Sequence, residues 1–354
     1  MRSDMQYSGP KVHRQVLLVY QLPGGTGDLP LVGLVTLVGT RECSATRRDT
    51  LDPMSIEPDN THRTPAKYNA EGQPYGVQTV SFVRRGSRLQ GRREQAWDQY
   101  RERFAIEVPR NLSDTSVHSD FRLDVDAAFG RKAPLTVEVG SGLGEAVTAA
   151  AHDHPDRNFL AVEVYLPGLA QTLYRVGQLG LENVRVVQAN APEVLETMLH
   201  PGSVSELWVF FPDPWHKKRH VKRRLVQRSF AELAARVLEP GGIWRLATDW
   251  SDYAVQMRSV LGESTEFKNL HDGERSGHES PLTQVWASGV ERVVGGAPVR
   301  EGKLPVSTGN ASVGDDEDST GGWAPRFEGR ELTSFENKAH DAGRLIFDLA
   351  YRRA

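Results

Sequence analysis

Between about Pro134 and Leu261, short apolar runs alternate with stretches whose apolar residues recur every three or four positions. The runs are TVEVG (136–140), FLAVEV (159–164), NVRVVQAN (183–190), SELWVFF (205–211) and GGIWRLATDW (241–250). The stretches are EAVTAAAHDH (145–154), LPGLAQTLYRVGQLG (166–180), APEVLETMLH (191–200), VKRRLVQRSFAELAARVL (221–238) and SDYAVQMRSVL (251–261). Strand followed by helix, repeated, predicts an α/β fold of Rossmann-like type: a mostly parallel, doubly wound sheet with helices on both faces. The near-continuous apolar character of the runs suits central parallel strands covered on both sides. Arg92 onward reads as a helix leading into this core, and LIFDLAYR (345–352) as a last strand after a helix opened by Thr or Ser.

The flanks break the pattern. Residues 46–76, TRRDTLDPMSIEPDNTHRTPAKYNAEGQPYG, have no sustained period and too few apolar residues to offset chain entropy. Residues 1–75 are therefore expected to be a disordered or weakly ordered extension, in which VLLVY and LVGLVTLV are candidates to pair as a hairpin. Residues 76–354 form the expected folded domain. Residues 288–325 are rich in Gly, Ser, Pro and acid, and are expected to be a low-complexity, mobile insertion in it.

A net charge of −3 over 354 residues exerts no overall pull toward nucleic acid, so any such affinity must come from local clusters. The single cysteine, Cys43, excludes an internal disulfide and argues against a cysteine-based metal site. No metal is expected. The longest apolar runs fall short of the ~20 residues of a membrane span. A cytoplasmic protein without membrane contact is the expectation.

Two stretches carry candidate chemistry. In VEVGSGLGEA (137–146), Gly140, Gly142 and Gly144 lie between a strand and a helix, where they permit a tight turn and close approach to a ligand. Glu138 sits inside the strand, where an acid is costly without a cationic or hydrogen-bonding partner. Glu163 ends the next strand, 23 residues after Gly140, where an acid grips ribose hydroxyls. The spacing is GxGxG, not GxGxxG, and Glu145 in the first helical turn would repel a phosphate. A cofactor with a ribose and an amino group but no phosphate fits better than NAD, and S-adenosylmethionine has those features. The plainer reading is a packing turn with Glu145 as a capping acid. Asn190, ending the third strand, is either an adenine contact or a helix cap.

The second stretch is FFPDPWHKKRHVKRR (210–224). Two prolines stiffen a turn that presents Asp213, and Phe211 and Trp215 offer stacking surfaces. Six Lys/Arg and two His follow in nine residues, where a helix is expected to begin. Cations there oppose the helix dipole, and phosphates of a partner would explain them; a solvated helix face is the alternative. The arginines of Arg84–Arg103 carry the same two readings.

These motifs, with LATDW (246–250) and TSFE (333–336), resemble the bacterial tRNA (guanine-N7)-methyltransferases over about residues 77–288 and 326–354. The resemblance implies methyl transfer from S-adenosyl-L-methionine to N7 of a guanosine at position 46 of the tRNA variable loop. It implies cofactor contacts at Glu138, Gly140, Gly142, Glu163, Asn190 and Asp213, with Asp213 also catalytic. It assigns Lys217, Asp249, Thr333, Ser334, Phe335 and Glu336 to the guanosine, and Arg219, Lys222, Arg223 and Arg224 to the RNA backbone. Methylation of another nucleic-acid position and a non-catalytic tRNA-binding protein are the alternatives. The first is disfavoured because amino-group methylases place two prolines side by side in an otherwise similar turn.

Overall fold

The computed structural model describes residues 88–111, 113–288, 293–294, 297–298 and 317–354, all within one unit of the chain, 65–354. The proposed hairpin, the boundary near residue 75 and most of the low-complexity stretch lie outside the described residues.

Five strands are parallel: β1 (Leu135–Val139), β2 (Asn158–Glu163), β3 (Val184–Gln188), β4 (Val204–Phe210) and β5 (Leu238–Thr248). Two more, β6 (Phe267–Asn269) and β9 (Phe347–Arg353), complete a sheet of order β3-β2-β1-β4-β5-β9-β6, with β9 antiparallel to both neighbours. A separate two-residue ladder joins β7 (Val293–Val294) to β8 (Ala297–Pro298). The helices are α1 (Arg92–Phe104), α2 (Val125–Phe129), α3 (Glu145–Asp153), α4 (Leu166–Leu179), α5 (Ala191–Glu193), α6 (Arg228–Val237), α7 (Ser251–Gly262), α8 (Pro281–Ser288) and α9 (Ser334–Asp341). The helix after β3 runs on from α5 as a π-turn, Val194–Met198.

Two-residue alternation decides which side each strand residue serves. Leu160 and Val162 join the core that holds Phe230, Tyr253 and Met257 of α6 and α7. Phe159 and Ala161 join the opposite core, with Val147 of α3 and Leu169 and Leu173 of α4. Both faces of the central sheet are thereby covered, which is why its strands read as near-continuous apolar runs.

The chain winds outward from β1 through β2 to β3, then returns so that β4 pairs with the other side of β1. Ligands of open α/β sheets bind where the winding reverses, at the carboxyl ends of the strands. The register sets Val139 beside Val209, so the glycine loop after β1 lies next to the proline turn after β4.

Two sequence expectations are corrected. The basic run does not open an α-helix: Lys218–Arg223 is a 3-10 turn, and α6 starts only at Arg228. The end of the supposedly mobile stretch is packed. Asp318 is buried, where it pairs with Arg258 and accepts from Ser280 and the indole of the fully buried Trp323. No helix among the described residues is long and apolar enough to cross a membrane.

Candidate active site

A cavity of about 590 Å³ opens at the reversal point. Its first wall is the glycine loop. Gly140, Gly142 and Gly144 take left-handed φ of 74°, 58° and 72°, and a side chain at Gly144 would collide with Thr172 of α4. Glu138 reaches the cavity from β1 and is 4% exposed. Burial pushes its carboxyl up to about 8, helped by the charges of Glu163 and Glu145 and opposed by a hydrogen bond from the Val147 backbone. Its Oε2 has no hydrogen-bond partner among the described residues.

Glu163 at the end of β2 accepts from the Gly142 N–H at 2.9 Å, and through its other oxygen from Val164 and Tyr165 at 2.7 and 2.9 Å. It thus ties the loop after β1 to the turn after β2. Burial raises its pKa; those backbone hydrogen bonds oppose the rise and the charge of Asp213 adds to it. Asn190 lines the cavity at the start of α5, buried, with Nδ2 lacking a partner among the described residues. Ser141 Oγ is in the same condition.

The second wall is the turn after β4. Phe211 and Trp215, at either end of Pro212-Asp213-Pro214, hold left-handed φ of 51° and 43°. Side chains disfavour that region by about 1–2 kcal/mol each, so the surroundings must enforce it. Phe211 N–H donates to the Ala247 carbonyl at 2.8 Å, and the Arg330 guanidinium lies over the Phe210 and Phe211 rings. Arg224 Nε donates to the Pro214 carbonyl. Arg223 lines the cavity with its guanidinium 5.2 Å from the Trp215 ring centre.

The third wall is the start of α9: Thr333, Ser334, Phe335 and Lys338. Thr333 caps the helix by accepting from the Glu336 N–H. Phe335 is exposed at the mouth.

The structure brings together Glu138, Gly140, Gly142, Glu163, Asn190, Asp213, Arg223 and Thr333–Phe335 around one cavity, and leaves others outside its lining. Lys217, Arg219 and Lys222 are exposed on the adjoining turn. Asp249 accepts from Arg344 Nε at 2.8 Å. Glu336 is fully buried on the inner face of α9, held by Arg326 and Arg330, and Arg330 also pairs with Asp348. Arg224 departs most from the backbone-contact expectation: it is 1% exposed and its donors go to Pro214, Gln256 and Asp252. Tyr165 and Lys338 line the cavity without having been singled out in the sequence, where no spacing marks them.

Four carboxyl groups, of Glu138, Glu145, Glu163 and Asp213, line the cavity. A cation bound beside them favours their ionised form. S-adenosylmethionine carries a sulfonium and an ammonium, and the unpartnered Glu138 Oε2 and Asn190 Nδ2 offer it a buried acceptor and donor. The residues present fit that cofactor.

The chain is 64% identical over 300 residues to a tRNA (guanine-N(7)-)-methyltransferase of Paenarthrobacter aurescens (strain TC1), covering 85% of this chain and all of the relative. It is 66% identical over 279 residues to one of Arthrobacter sp. (strain FB24), covering 79% and 88%. The chain belongs to the tRNA (guanine-N(7)-)-methyltransferase family. A more distant relative in this family, from Cutibacterium acnes (strain DSM 16379 / KPA171202), is 37% identical over 317 residues, covering 85% and 98%. Residues 132–291 match the family model described as "Putative methyltransferase". The 16S rRNA methyltransferase KamB overlaps at 14% identity and a TM-score of 0.38, over 70% of this chain and 98% of that one.

Proposed function

We propose that this S-adenosylmethionine-dependent tRNA guanine-N7 methyltransferase acts in the cytoplasm on position 46, in the variable loop. The observation that carries the reading is the single cavity shared by Glu138, Glu163 and Asp213, with Lys217, Arg219 and Lys222 exposed on the turn beside it. Glu138 would hold the cofactor's amino group, Glu163 its ribose hydroxyls and Asn190 its adenine edge. When bound, the cofactor supplies a methyl group activated by a sulfonium.

Guanine N7 is an unprotonated acceptor on the major-groove edge, so the protein need not remove a proton from it. What the protein must supply is alignment, which can lower a barrier by ~7–11 kcal/mol. Asp213 is suited to this: its turn is stiffened by two prolines and held by Arg224 and Ala247. A carboxylate there can accept from guanine N1–H and the exocyclic amine and stabilise the positive charge that grows on the ring. Trp215 and Phe335, on separate walls, offer stacking faces for an extruded base.

The test is methyl transfer from labelled S-adenosylmethionine to an unmodified tRNA transcript, followed by chemical cleavage at 7-methylguanosine. Cleavage at position 46 alone is the expected result. Cleavage elsewhere would move the target nucleotide; incorporation without cleavage would move the target atom.

A further inference from the structure

Glu145 is the first residue of α3, directly after the glycine loop. Its Oε2 does not serve its own helix. It accepts from the backbone N–H of Ser334 at 2.8 Å, across 189 positions of sequence. Ser334 is the first residue of α9, and its N–H is one of the donors that a helix start leaves without an intrahelical partner. The carboxylate lies where the dipoles of two helices favour negative charge, the starts of α3 and α9. Its other oxygen accepts from Arg175 of α4 at 3.2 Å, which fixes its direction.

The two segments joined by this carboxylate form two walls of one cavity. Gly140 and Gly142 stand on one side, and Thr333, Ser334 and Phe335 on the other. Phe335 also seats against the loop: a β-carbon at Gly142 would lie 3.8 Å from its ring. A shift of the glycine loop therefore carries the start of α9 with it. The loop is also tied through Gly142 to Glu163, so a ligand engaging Glu163 acts on the same connected backbone.

We infer that Glu145 is a positioning residue that couples the cofactor wall of the cavity to the base wall, so that filling one presets the other. The inference rests on the activity proposed above. Coupling of this kind is reciprocal: cofactor tightens tRNA by the same factor as tRNA tightens cofactor.

The test measures tRNA affinity with and without saturating S-adenosylhomocysteine, which cannot react, in the unaltered protein, Glu145→Ala and Glu145→Gln. In the unaltered protein the analogue tightens tRNA by about fivefold or more, the low end of typical site-to-site coupling. In Glu145→Ala the ratio falls to within about twofold of unity, while Glu145→Gln, whose amide oxygen still accepts from Ser334, keeps most of it. Full tightening in Glu145→Ala, or none in the unaltered protein, overturns the inference. So does early melting with loss of analogue binding in both variants, since the residue would then be structural only. An unaltered protein that binds neither tRNA nor the analogue would sink the activity reading itself, a result distinct from all of these.

Discussion

Arg224 Nε donates to the carbonyl of Pro214 at 2.8 Å, from a guanidinium that is 1% exposed. The last cation of the basic run thus faces inward and clamps the turn that presents Asp213. Its other nitrogens reach Gln256 at 2.8 Å and Asp252 at 2.5 Å, and it lies over the Tyr253 ring. Three separate nitrogens of a rigid planar fork reach these three acceptors, whereas an ammonium has its three donors on one nitrogen and cannot span them. Arg224→Lys is therefore expected to lower kcat and the melting temperature together. An unpaired Pro214 carbonyl alone costs about 1–3 kcal/mol. The salt dependence of tRNA binding should not change. Thermal unfolding, turnover and a salt titration check the three parts, and a flattened salt slope would return Arg224 to the RNA-contacting set.

Lys217, Lys218, Arg219 and Lys222 are exposed on the same turn. If they neutralise phosphates, replacing them with glutamine should flatten the fall of log affinity with log salt by about 0.7–0.9 per contact. Comparing slopes separates lost contacts from a disturbed fold. An unchanged slope in the fourfold variant would show that these cations face only solvent.

The parallel half of the sheet was legible because each buried strand is an apolar run, and Glu138 stood out as an acid inside one. The antiparallel direction of β9 was not, since no local pattern encodes a strand's partner. Asp348 in LIFDLAYR is an acid of the same kind as Glu138, but its meaning depends on Arg330 and, through it, Glu336. Those partners come from different segments, so the family resemblance assigned all four residues of TSFE to the guanosine, whereas Glu336 faces the protein interior. Within KRR, Lys222 is exposed and Arg224 buried. The geometry of the 3-10 turn settles that difference, and charge alone could not.

Asp213 is exposed within the cavity. Asp213→Ala should reduce kcat by roughly 10²–10³, the usual effect of losing one preorganised polar group, with tRNA affinity little changed. Asp213→Asn, which still accepts a hydrogen bond, should recover part of the loss. Near-normal turnover in Asp213→Ala would remove it from the chemistry. Complete inactivity in both variants, with tRNA bound, would make its charge the decisive property.

Glu138 makes stability depend on pH in a definite direction. Its pKa rises from 4.5 to about 8 on folding, chiefly through burial. The folded chain holds a proton that the unfolded chain has released, so stability falls as pH rises through this window. The contribution is whole below pH 4.5 and gone above about 8. Glu138→Gln cannot ionise. Without cofactor it should match the unaltered protein near the acid end and exceed it above the window by roughly 3–5 kcal/mol, at 1.36 kcal/mol per pKa unit. With cofactor the order should reverse, because the variant has no carboxylate to meet an ammonium. Melting curves from pH 5 to 9, with and without S-adenosylhomocysteine, check both halves. Parallel curves for the two proteins without cofactor would mean that Glu138 is already ionised in the empty cavity. The buried acid would then have a partner in the protein, and its assignment to the cofactor's amino group would lose its physical basis.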